Sequence, residues 1–113
     1  LVISQGENLG QQYYLNSLLK GRCRMLHVGR EIDNDIVLPE SYSTYVSRYH
    51  FTLEKAADGS HWLIRDGQWV KDERRWVFST NGTYLNTSPV PREGLKVFTG
   101  DIITAGEYKI KVE

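Results

Sequence analysis

This chain lacks most of what marks a secreted, membrane-bound or catalytic protein. Its one cysteine, Cys23, cannot form a disulfide within the chain, which excludes a disulfide-framed extracellular scaffold. The corresponding expectation is a reducing intracellular compartment, the cytoplasm first. Neither sign of charge is in excess, because 14 basic and 14 acidic side chains cancel to a formal net charge of zero. That balance speaks against a general nucleic-acid or anionic-membrane surface, while leaving room for one local basic pocket. No apolar run approaches the length that spans a bilayer, and no signal-peptide pattern is present. His27, His50 and His61 are scattered, without ligand pairs at metal spacing, and no glycine loop of the nucleotide-binding kind occurs, so neither metal nor cofactor is expected.

What is present is the pattern of a β protein. With 113 residues, 40% hydrophobic and 25% charged, the chain fits one globular domain over 1–113 with a single core. It opens on "LVIS", without a methionine and already strand-like, and is read as a domain of a longer protein. The dominant period is two. In "HFTLE", Phe51 and Leu53 share one face while His50, Thr52 and Glu54 share the other; "HWLIR" sets Trp62 and Ile64 together, and "EYKIKVE" alternates Tyr108, Ile110 and Val112 with lysines. "MLHV", "NDIVL" and "DIITA" add short apolar runs. Turn signals at Asp58-Gly59, Asp66-Gly67, Asn81-Gly82, Gly100-Asp101 and Ala105-Gly106 separate them. Many short strands with regular turns predict an all-β fold, a sandwich or barrel.

Two stretches compete with that pattern. Tyr14, Leu15, Leu18 and Leu19 recur at helical spacing before Gly21, but a strand through 13–15 followed by a loop is the preferred expectation. Residues 68–78 are irregular: Trp69-Val70 and Trp76-Val77 flank a charged stretch over 71–75. They form either a projecting hairpin with its tryptophans paired across the strands or a long loop whose aromatics cover the core edge.

Chemistry-bearing residues gather in the turns. Ser47 and His50 are a poor catalytic pair, because residues three apart on an extended segment point to opposite faces. No glycine-flanked serine elbow is present and no carboxylate is placed to orient the histidine, so no enzyme is expected. Asn81-Gly-Thr83 and Asn86-Thr-Ser88 match the glycosylation sequon, which is discounted in a chain read as intracellular. Arg30 follows Gly29 at the end of one strand, Ser47 and Arg48 precede another, and Thr80 and Asn81 occupy a turn. Loops joining sandwich strands cluster at the sandwich ends, so these groups can converge. A guanidinium, a hydroxyl and loop amides together suit a phosphate monoester, and Asn81 offers both a donor and an acceptor to an extended peptide.

"HVGREIDNDIVL", "SRYHF" and "STNGTYLN", in that order, resemble the motifs of a forkhead-associated (FHA) domain, and the likeness extends from "LVIS" to the closing "GDIITAGEYKIKVE". The resemblance implies a β-sandwich of two mainly antiparallel sheets and about eleven strands that binds phosphothreonine in a partner protein or peptide. It implies that Arg30 bonds the phosphate, that Ser47 donates its hydroxyl to a phosphate oxygen, and that Arg48 adds charge beside it. Thr80 would line the phosphothreonine pocket and Asn81 would clasp the peptide backbone. Gly29 and His50 would be architectural, and Gly82, Thr83 and Asn86 would fix turns and loops. The chain departs from the family before "STNGT", where 68–78 intervene in place of a short turn. The alternative on the same scaffold is a phospho-independent interaction or oligomerisation module that uses the tryptophan segment. A small enzyme or carbohydrate binder lacks the convergent acid and base it would need.

Overall fold

The structure is a computed structural model that describes residues 1–6, 9–19, 24–39 and 45–113. Gly21, Cys23 and the Ser/Thr/Tyr-rich residues 41–44 lie outside the described residues. In chain order the elements are β1 (Val2–Gln5), α1 (Leu15–Leu19), β2 (Met25–Gly29), β3 (Ile36–Val37), β4 (Phe51–Lys55), β5 (Trp62–Asp66), β6 (Gln68–Val70), β7 (Arg75–Val77), β8 (Thr83–Leu85), β9 (Ser88–Pro89), β10 (Leu95–Val97), β11 (Ile102–Ala105) and β12 (Tyr108–Lys111). One sheet runs β1-β12-β11-β8-β9 and the other β10-β5-β4-β2-β3, while β6 and β7 form a separate two-stranded ribbon. Every pair is antiparallel except β2 with β3. The expected all-β sandwich is therefore what the chain adopts; among the described residues its two sheets hold five strands each and the ribbon adds two.

The period-two apolar positions build the core. Leu26, Val28, Phe51, Leu53 and Ile64 from one sheet, with Ile3, Ile103, Tyr108 and Ile110 from the other, are essentially inaccessible to water. Each such side chain contributes about 1.5–3 kcal/mol through burial. Tyr108 keeps its polar end satisfied, donating from its hydroxyl to the Pro39 carbonyl at 2.8 Å. The alternation is less two-faced than the sequence suggests at β4. Thr52 and His50, on the side opposite Phe51 and Leu53, are also buried. The Thr52 hydroxyl donates to the Gly67 carbonyl at 2.8 Å, where the chain turns into the ribbon.

Residues 68–77 resolve to the hairpin rather than the loop. Trp69 stands directly opposite Trp76 in the register, the cross-strand pair of the hairpin alternative. The two rings differ in role. Trp76 donates from Nε1 to the Asp66 carbonyl at 2.9 Å, whereas Trp69 is 55% exposed. Gln68 roots the ribbon in the larger body: its Nε2 donates to the Val28 carbonyl (3.0 Å), to Asn34 Oδ1 (2.7 Å) and to the Phe51 carbonyl (3.2 Å).

The strand expected over 13–15 is corrected. Gln12 makes one antiparallel bridge to Val2, and the chain then turns into the helix α1. The spacing of Leu15, Leu18 and Leu19 decides it: Leu19 is buried, and Leu15 and Leu18 rest on the core cluster. A strand would have turned alternate leucines to water. Lys55 holds the helix from outside, donating to Asn16 Oδ1 at 2.7 Å.

Gly29 marks where β2 meets the loop before β4. A Cβ there would collide with the Arg48 carbonyl oxygen and sit 2.9 Å from the His50 amide nitrogen, both backbone atoms with little freedom to move. Gly29→Ala is expected to lower stability by about 1–3 kcal/mol, measured by denaturant unfolding; an unchanged midpoint would mean that this close approach is not maintained in solution.

Candidate functional site

Beyond Gly29 the pairing of β2 with β4 continues as loop-to-loop hydrogen bonds. The His50 amide donates to the Val28 carbonyl at 3.0 Å, the Arg30 amide to the Ser47 carbonyl at 3.1 Å, and the Glu31 amide to the Arg48 carbonyl at 3.1 Å. Arg30 and Ser47 are therefore neighbours through their main chains. Asn34 locks the arrangement, its Nδ2 donating to the Glu31 carbonyl (2.8 Å) and the Arg48 carbonyl (2.9 Å).

The 80–82 turn joins the same rim through two contacts. The Thr80 amide donates to Ser47 Oγ at 2.9 Å, and His50 Nε2 lies 2.9 Å from the Gly82 carbonyl oxygen. His50 Nδ1 accepts from the Ser47 amide at 3.0 Å, so the proton sits on Nε2 and is donated to Gly82. Sequence spacing alone points His50 away from the Ser47 side chain, but residues 48–49 turn instead of running extended. The ring comes back to the serine's main chain. Asp66 fixes the other end of the turn: its carboxylate accepts from Ser79 Oγ (2.5 Å), the Ser79 amide (3.2 Å) and Thr83 Oγ1 (2.6 Å).

Arg30, Ser47, Arg48 and Thr80 line one hollow of about 160 Å³, together with Tyr49, Val77 and Phe78. Asn81 follows at its edge, exposed, with Nδ2 donating to the Tyr45 carbonyl at 3.1 Å. Gly29, His50, Gly82 and Thr83 stand behind the hollow in the contacts described above. Asn86 lies apart from it: φ is +58°, Oδ1 accepts from the Ile102 amide at 3.1 Å, and Nδ2 donates to Asp101 at 3.2 Å. Two guanidinium groups and a serine hydroxyl face this hollow, and among the described residues no carboxylate lines it. Because Ser47 Oγ already accepts from Thr80, its proton is available to donate to an incoming anion. The arrangement favours a compact group with several acceptor oxygens and negative charge.

Sequence reasoning missed Asp66 and Asn34 as braces, and missed Val77 and Phe78 as walls. Asp66-Gly67 was legible only as a turn, although Ser79 and Thr83 downstream offer the hydroxyls that a buried-edge carboxylate needs. Phe78 is 45% exposed, with the Arg92 guanidinium 5.3 Å from its ring centroid.

The chain belongs to the FHA domain family, whose model matches residues 26–106. It is 32% identical over 85 residues to the ABC transporter ATP-binding/permease protein Rv1747 of Mycobacterium tuberculosis, which covers 75% of this chain and 8% of that protein. It is also similar to an FHA structure from a study of phosphothreonine-dependent FHA domain interactions (28% identity, TM-score 0.67, covering 96% of this chain and 90% of the other). A further similar structure is the FhaA FHA domain complexed with the intracellular domain of Rv3910 (29% identity, TM-score 0.69, covering 98% and 97%). Among the described residues no helix is long and apolar enough to cross a membrane.

Burial holds the His50 imidazole below its ordinary pKa, outweighing the opposing pull of the Gly82 bond and the Asp66 charge. A histidine kept neutral in the fold must take up a proton on unfolding in acid. Its stabilisation is therefore complete above about pH 6.5 and is lost as pH falls through the window below it. His50→Gln, which cannot titrate, should show a flatter decline in melting temperature between about pH 7 and 5; parallel curves for the two proteins would remove His50 as the titrating brace.

Proposed function

We propose that this domain is a phosphothreonine-dependent protein–protein interaction module that recognises a phosphorylated, extended peptide through the loops at this rim. The observation that carries it is the hollow where Arg30, Ser47 and Arg48 converge without a carboxylate. Arg30 bonds the phosphate, the Ser47 hydroxyl donates to a phosphate oxygen, and Arg48 adds charge alongside. Thr80 lines the phosphothreonine pocket. Asn81 clasps the peptide main chain, its Nδ2 on Tyr45 leaving Oδ1 to accept a peptide N–H. Membership of the FHA family, and the phosphothreonine dependence described for one similar structure, support the assignment. We take residues 1–113 as a single binding domain of a longer, cytoplasmic protein, with no catalytic role of its own; the small share of Rv1747 that this chain spans is consistent with a recognition segment in a larger machine.

Phosphothreonine carries a charge of about −1.5 to −2 at neutral pH and three acceptor oxygens. Two or three charge-assisted hydrogen bonds of about 1.5–3 kcal/mol each supply most of the binding free energy. Ordering the peptide offsets much of it, which leads to dissociation constants on the order of micromolar. The threonine methyl adds about 0.8 kcal/mol on burial over a serine counterpart.

Exposed Trp69 favours a second use of the same scaffold, a phospho-independent contact through the ribbon. Phosphatase treatment of the partner separates the two, since only the phosphate-dependent contact is lost. Arg30→Ala should weaken phosphopeptide binding by at least about tenfold, one charge-assisted bond, with an unchanged circular dichroism spectrum. Calorimetry giving equal affinities for the two proteins would refute the assignment.

A further inference from the structure

A second hollow of about 300 Å³ opens beside the first, between the ribbon and the loop carrying Asp33 and Asn34. Tyr49 lines both hollows and forms the partition between them. The two differ in electrostatic character. Where the first presents guanidinium groups, the second presents the exposed carboxylates of Asp33 and Asp72 and the exposed ring of Trp69, with Lys71 its only ammonium among the described residues. The Tyr49 hydroxyl leans toward Asp33 Oδ2 at 3.4 Å.

Gln68 supplies an independent pointer. It lines this hollow while only 3% exposed, and its Nε2 is fully engaged by Val28, Asn34 and Phe51. Its amide oxygen accepts no hydrogen bond among the described residues. That oxygen is not among the buried polar atoms left without a partner, so it reaches the solvent of the hollow and is open to a donor from outside. Two carboxylates, an amide oxygen and two aromatic faces together select a cation bearing N–H groups. A bare metal ion fits poorly, because among the described residues no group of three or more His, Cys, Asp or Glu side chains could hold one.

We propose that this second hollow receives a lysine or arginine side chain of the phosphorylated peptide, flanking its phosphothreonine. The inference rests on the phosphothreonine assignment of the adjoining hollow. Residues in an extended peptide advance by about 3.3 Å each, so a chain passing over Tyr49 presents its phosphate to one side of the partition and a nearby residue to the other. The inserted ribbon, which supplies Gln68, Trp69 and Asp72, thereby adds a second selectivity filter of opposite charge.

The test is a titration of the intact domain with phosphothreonine peptides in which one lysine is walked along both flanks of an otherwise alanine background. The same series is repeated with the Asp33→Asn/Asp72→Asn double variant. Both carboxylates are exposed, so the double variant is expected to fold. Lysine at one position should tighten binding about tenfold, the scale of one cation–π contact combined with a charge-assisted hydrogen bond. The double variant should lose that gain while binding the all-alanine phosphopeptide as the parent does. Equal affinity for every lysine position, with phosphate dependence intact, overturns the second hollow alone. So does a lysine preference undiminished in the double variant. Absence of phosphate-dependent binding by any peptide overturns both hollows together.

Discussion

His50 is the joint on which the site turns. Its ring is buried and bonds at both nitrogens, to the Ser47 amide on one side and the Gly82 carbonyl on the other. Those two contacts tie the loop before β4 to the turn before β8, segments that meet only because the sandwich brings its ends together. The ring must stay neutral to make both bonds, since only the neutral form has an acceptor nitrogen. Burial enforces that by penalising the charged form. Gly29 works with it: the absence of a side chain lets β2 approach Arg48 and His50 closely enough for the Arg30 and Ser47 main chains to pair.

Around this joint lies a second layer of polar braces. Asn34 holds the Arg48 carbonyl, Gln68 holds Asn34, and Asp66 gathers Ser79 and Thr83. Each is a side chain satisfying main-chain or hydroxyl groups that would otherwise be buried without partners, a loss of about 1–3 kcal/mol apiece. These bonds constrain the described residues of the rim in the unliganded fold, which reduces the entropy that binding must overcome. The ribbon is built into the same network through Gln68 and Trp76, and its Val77 lines the hollow of the candidate site.

Much of this was legible in the sequence, for identifiable reasons. Period-two alternation in "EYKIKVE" reports one buried face directly, and the structure buries Tyr108, Ile110 and Val112; the apolar run "DIITA" likewise supplies the buried Ile103 and Ala105. The symmetrical segment around a charged tip left a hairpin and a long loop open, and the Trp69–Trp76 register decides for the hairpin. The helix at Leu15–Leu19 was underrated because its five residues give periodicity little room to speak. Arg30, Ser47, Arg48 and Thr80 could be named because ordered motifs carried them. Their braces could not: Asp66 acts through partners 13 to 17 residues away, and Asn34 adds to its local bond with Glu31 one to Arg48, 14 residues away, which no local pattern encodes. The turn at 48–49 brings the His50 ring to the Ser47 main chain, an architectural contact and not a base on the serine hydroxyl, because alternation applies only where the chain is extended.

The most direct measurement of the central claim is an amide-resolved NMR titration with one peptide in its threonine-phosphorylated and unphosphorylated forms. If the rim of Arg30, Ser47, Arg48, Thr80 and Asn81 is the receptor for phosphate, the phosphorylated form alone should shift those amides, together with their braces at His50 and Gly82. Shifts that centre instead on α1, or that appear equally with the unphosphorylated peptide, would contradict it.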